Sequence, residues 1–119
     1  MDKEQALNNF WNSFGIPAYD ENSVPDEAAL PYITYSVGID DFNRPVSLSA
    51  SIWYRTTSWV EITNKQNQIS ETIGLGGVMI PHNTGSIWIK KGSPFSQRIS
   101  SEDNSIRRIF MNIEAEFIN

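Results

Sequence analysis

The sequence predicts an α+β domain: a mixed, mainly antiparallel sheet of about five strands with two helices packed on it, in the order α-β-β-α-β-β-β. Three observations lead there. Leu7, Phe10, Trp11 and Phe14 recur at i, i+3, i+4 and i+7, the spacing of one helix face. Residues 46–55 and 108–117 alternate apolar with polar side chains, the period of a strand with one buried face. The 119 residues contain no internal repeat or low-complexity tract, so a single domain over 1–119 is expected.

The elements follow in order. Gly15 stops the first helix and Pro17 reinforces the break. From Ile16 to Leu30 the chain mixes Pro17, Asp20, Glu21, Asn22, Pro25, Asp26 and Glu27 with neither period, which reads as an acidic loop. Residues 31–37 are aromatic and β-branched behind a leading proline and predict the first strand. After a polar turn over 38–45, Val46, Leu48, Ala50, Ile52 and Tyr54 form the inner face of the second strand. Ser47, Ser49, Ser51, Trp53 and Arg55 form its outer face. Ser58 and Glu61 have capping-box spacing, so the second helix is predicted over 58–73 with Trp59, Ile62, Ile69 and Ile73 on one stripe and Gly74 at its end. Residues 77–80 and 86–89 predict a hairpin around Pro81–Gly85. A polar connection with Gly92 and Pro94 then leads to the last strand. There Ile109, Met111, Ile113, Ala115 and Phe117 oppose Arg108, Phe110, Asn112, Glu114 and Glu116.

Composition narrows the chemistry. The absence of cysteine removes disulfides, thiolate metal sites and thiol nucleophiles, and the single His82 rules out a multi-histidine site within one chain. The formal charge of -5 is unevenly placed: residues 1–43 hold eight acids and one base, residues 44–119 eight bases and six acids, that is -7 against +2. Net acidity disfavours specific nucleic-acid binding, which draws on clustered Lys and Arg. The bipolar distribution suits head-to-tail contact between copies, and equally an ordinary solvated surface. No apolar run reaches the roughly 18 residues of a membrane helix and the start lacks signal-peptide order, so a cytoplasmic chain without membrane contact is expected.

Gly74-Leu75-Gly76-Gly77 closes a helix and enters a strand, the reverse of a phosphate-cradling loop, and reads as a cap and turn. His82 lies in a predicted hairpin tip, and no serine sits in a nucleophile elbow, so no enzyme activity and no cofactor or metal is expected. Trp53 and Phe110 fall on otherwise polar strand faces, where each is either an interface anchor or packed under a helix. Arg107, Arg108, Lys90 and Lys91 either complement the acidic loop of a neighbouring copy or are simply solvated. Glu114 and Glu116 share one strand face and can approach a partner's cations, with solvated surface as the alternative.

Gly15-Ile16-Pro17-Ala18-Tyr19, Pro31-Tyr32-Ile33-Thr34-Tyr35 and the closing strand from Ile106 to Phe117, taken with the element order, resemble the tail terminator or tail-completion proteins of tailed bacteriophages and phage-tail-like particles. The resemblance spans nearly the whole chain through size, pattern and order and includes no catalytic motif. It implies a homo-oligomeric ring, a hexamer, that caps the head-proximal end of the tail tube, stops its growth and presents the joining surface to a head-tail connector or neck protein. The implied location is the virion tail, assembled in the bacterial host cytoplasm. Six copies would carry 6 × (-5) = -30, with Asp20, Glu21, Asp40 and Asp41 either facing the DNA-conducting lumen or lying on the outer rim. A head-tail joining protein or a small tube subunit is the runner-up. A small cytosolic ligand-binding domain is the alternative of another class and would need a pocket of convergent polar groups.

Overall fold

The computed structural model describes residues 1–37 and 45–118. Its elements are α1 (Lys3–Asn12), β1 (Ala18–Asp20), β2 (Tyr32–Tyr35), β3 (Val46–Arg55), α2 (Val60–Ile73), β4 (Val78–His82), β5 (Gly85–Ile99) and β6 (Ile106–Ile118). The strands form one sheet in the order β1-β2-β3-β6-β5-β4, antiparallel except for the β1/β2 pair.

The predicted inner faces are the core. Leu48, Ala50, Ile52 and Tyr54 of β3 and Ile109, Met111, Ile113, Ala115 and Phe117 of β6 are buried together with Leu7, Phe10, Trp11 and Phe14 and with Ile62, Ile69 and Ile73 of α2. Each buried Leu, Ile, Met or Phe among them contributes about 1.5–3 kcal/mol by leaving water. α2 packs on β3, β5 and β6, while α1 touches both β1 and β4, the two ends of the sheet order. The sheet therefore wraps around the aromatic stripe of α1, and both helices lie on its inner side. Trp11 stacks on Tyr35 at 6.4 Å, and Phe10 meets Trp11 and Phe14 edge-on at 5.0 and 5.3 Å, a geometry that suits ring quadrupoles.

Several sequence expectations are corrected. The sheet has six strands, because Ala18–Asp20, read as loop, forms β1. Its pattern is only three residues long, and tertiary contact supplies what periodicity lacks. The Asn12 Oδ1 accepts from the Ala18 N–H at 2.9 Å and its Nδ2 donates to the Ala18 carbonyl at 3.2 Å, so one carboxamide satisfies an edge residue's backbone. The expected polar connection after residue 89 is instead the continuation of β5 to Ile99. A register shift between Lys91 and Ser96 accommodates Gly92 and Pro94, and such a bulge scrambles the period that would have revealed the strand.

The helix ends also differ. α2 begins at Val60, Trp59 occupies its cap position without a side-chain bond, and the Ser58 hydroxyl accepts from the Val60 N–H at 3.1 Å, so the Ser58/Glu61 capping box does not form. A capping box does open α1: the Asp2 carboxylate accepts from the Gln5 N–H at 2.8 Å and Gln5 Oε1 accepts from the Asp2 N–H at 3.0 Å. α1 closes at Asn12, and Phe14 is buried just beyond it. The first predicted strand shortens to Tyr32–Tyr35, and the hairpin turn tightens to Asn83 and Thr84, because His82 already pairs with Gly85.

Candidate assembly surface

The outer face of the sheet, opposite the helices, is built from the polar halves of the alternating strands. In the β3/β6 register Trp53 faces Arg108 and Ser51 faces Phe110, so these four side chains meet on one side. The Arg108 guanidinium lies 4.6 Å from the Trp53 ring centroid and 5.8 Å from that of Phe110, and its Nε donates to Ser51 Oγ at 3.0 Å. The Trp53 indole N–H donates to Thr34 Oγ1 at 2.9 Å. Ser51, expected on a solvated face, is only 3% exposed because it lies beneath this cluster. Trp53 and Phe110 are thus on the face away from the core, each half-buried by its partners there.

The paired basic residues of the sequence do not act as pairs. Lys90 stays on the outer face, 4.2 Å from the Trp88 ring centroid and 3.7 Å from a Glu116 oxygen, with exposed Glu114 opposite it in register. Lys91 lies instead over Phe95 at 5.3 Å. Arg107 faces the helix side, where its Nη2 donates to the Thr57 carbonyl at 2.8 Å and its Nη1 to the Asn104 carbonyl at 3.2 Å. There it stands 5.2 Å from the Trp59 ring. Arg98 approaches the same ring at 4.5 Å.

This Trp59–Arg98–Arg107 platform escaped the sequence reading. In the sequence Trp59 belongs to the predicted helix stripe and Arg98 to the predicted polar connection. A shallow groove of about 310 Å³ beside it is lined by Trp59, Val60, Thr63, Asn64 and Arg98. The signal that would have found it is a cation on a strand that continues past a bulge.

The acidic candidates separate as well. Asp20 ends β1 and its carboxylate accepts from the Asn22 N–H at 2.9 Å, while Glu21 is exposed. Asp40 and Asp41 lie outside the described residues. Among the described residues, no group of three or more His, Asp or Glu side chains gathers in a way that would hold a metal ion. His82 closes its hairpin by accepting the Thr84 N–H on Nδ1 at 3.3 Å. The glycine cluster is a cap and a close approach: Gly74 and Gly77 have φ of 70° and 86°, and the Trp88 indole N–H donates to the Gly76 carbonyl at 2.9 Å. That loop carries Leu75 fully into solvent.

Two titrating groups are displaced. Hydrogen bonds from the Ser105 hydroxyl and backbone N–H, with a smaller contribution from Arg55, hold the Asp103 carboxyl below its ordinary range. Burial pushes the Tyr54 phenol up, and the charge of Glu61 adds to this.

No family model matches the chain, and no curated protein matches it either. Among solved structures, a chain of the "Virion of native gene transfer agent (GTA) particle" superposes with a TM-score of 0.63 at 16% identity, covering 96% of this chain and 84% of that one. The two share a fold. At this identity the likeness concerns the path of the backbone, and it includes nearly every element described above, so the α+β architecture is one that a virion subunit uses.

Proposed function

We propose that this chain is a structural subunit of a phage tail or phage-tail-like particle. In this reading six copies close into a ring that caps the head-proximal end of the tail tube, stops tube growth and presents the surface that a neck or connector protein joins. The observation that carries the proposal is the fold shared with a gene transfer agent virion chain across 96% of the length. The match supports a phage-like particle subunit, and the terminator role within it comes from the family that the sequence resembles. The outer sheet face supports the same role, since it presents a half-buried arginine held between two aromatic rings, a composition typical of the centres of protein interfaces. Catalysis has no part in the proposal, and Asp20 and Glu21 are assigned to the lumen, where like charge keeps DNA from adhering.

Electron microscopy of tail tubes polymerised with and without the purified chain tests this function. Capped tubes of restricted length, with a ring at one end, are expected. Tubes unchanged in length and bare at both ends would contradict it.

A further inference from the structure

The sheet presents opposite charge at its two edges. At one edge β4 pairs only with residues 85–89 of β5, so the stretch Ser96–Ile99 continues past β4 as the border of the sheet. Arg98 lies on this border, exposed, with its guanidinium against Trp59. Val60, beside it in the groove, is 64% exposed. Among the described residues neither Arg98 nor Arg107 has a carboxylate within ion-pair distance.

At the other edge β1 is followed by the acidic segment. The Ala28 N–H donates to the Pro25 carbonyl at 3.0 Å, which closes a turn with Asp26 and Glu27 at its two central positions. Pro25, Asp26 and Glu27 are all exposed. In the sheet order β1 and β5 stand four strands apart, so the carboxylates of this turn and Arg98 belong to different borders of the sheet.

We infer that the Pro25–Ala28 turn of one copy docks on the Trp59–Arg98 platform of the next, and that this contact is the head-to-tail joint of the assembly. The occupant is a second copy of this chain for three reasons. Its carboxylates complement an arginine that has no acidic partner among the described residues, and Pro25 offers an apolar surface to Val60 and the Trp59 edge. A joint between two different borders is heterologous, which is the kind that repeats around a ring. Arginine stacked on an indole is already oriented, so little side-chain freedom is lost when a carboxylate arrives.

The inference rests on the self-assembly proposed above, and its test separates the two. Sedimentation velocity of the full chain is compared for wild type, Arg98→Glu, Glu27→Arg and the double swap, at low and high salt, with thermal unfolding as a check that each variant folds. Arg98 and Glu27 are both exposed, so folding is expected to survive. Each single reversal should weaken association at least tenfold, the double swap should recover most of it, and salt should weaken the wild type more than either single variant. A wild type that associates while all three variants match it would overturn the inference alone, as would a double swap no better than the singles. A strictly monomeric wild type would overturn both readings. Labelled duplex DNA is the control for phosphate as the alternative occupant: binding that Arg98→Glu abolishes without any change in association would assign the platform to DNA and overturn the inference.

Discussion

Arg107 and Arg108 are chain neighbours that serve opposite faces of the sheet: Arg107 faces Trp59 on the helix side, and Arg108 lies between Trp53 and Phe110 on the outer side. Strand pleating forces this separation. The two substitutions therefore have different consequences. Arg108→Ala removes two ring contacts and the hydrogen bond that covers buried Ser51, and should lower stability by about 1–3 kcal/mol in urea unfolding. Arg108→Lys should restore only part of that loss, because an ammonium cannot stack as a planar guanidinium does. Equal stability of wild type and Arg108→Ala would show that the outer cluster is not structural.

The Asn12 carboxamide is the tie between the end of α1 and the edge strand β1. Asn12→Ala leaves the Ala18 N–H and carbonyl without these partners and is expected to cost about 1–3 kcal/mol. Asn12→Asp keeps the acceptor and loses the donor, so it should fall between the two. Hydrogen exchange at the Ala18 amide reads the same contact locally and should accelerate in Asn12→Ala.

Gly76 and Gly77 are neighbours with opposite tolerance. A Cβ on Gly77 would lie 2.6 Å from the Ile89 carbonyl oxygen and 2.6 Å from Trp88 Nε1, at a backbone φ of 86°, whereas nothing lies within 4 Å of one on Gly76. Gly77→Ala should destabilise by about 1–3 kcal/mol and Gly76→Ala by less than about 0.5 kcal/mol. Thermal or urea melts of the pair decide it, and similar losses at both positions would contradict the close approach.

Asp103 provides a pH test. Its folded-state pKa is depressed chiefly by Ser105, so the associated stabilisation is present above the ordinary value of 3.8 and is lost as pH falls through the lower folded value. Ser105→Ala should move the Asp103 titration, followed by carboxyl NMR, upward toward that ordinary value, and Arg55→Ala should move it less. Asp103 is exposed, so the effect is local and belongs to the titration curve more than to the global unfolding free energy.

The sequence carried the inner sheet faces and both helix stripes, since each is written as a repeated period: Ile52 and Met111 lie at the bottom of the core where alternation put them. It did not carry the second half of β5, because the bulge between Lys91 and Ser96 resets the period and Pro94 argues locally against a strand. β1 was hidden for another reason, as three residues held by Asn12 have no pattern of their own. The outer cluster was half legible. Trp53 and Phe110 were conspicuous as aromatic residues among serines and charges, but the Ser51 bond that fixes Arg108 depends on register between strands 57 positions apart. The Trp59–Arg98 platform joins a helix cap to a strand read as a loop, so no single stretch of chain announces it.

Native mass spectrometry of the purified full chain across a wide concentration range tests the closed ring most directly. The account predicts one dominant closed oligomer, at 6 × 13.5 = 81 kDa for the hexamer, that does not grow further as concentration rises. A monomer at every concentration, or an open ladder of ever larger species, would contradict it.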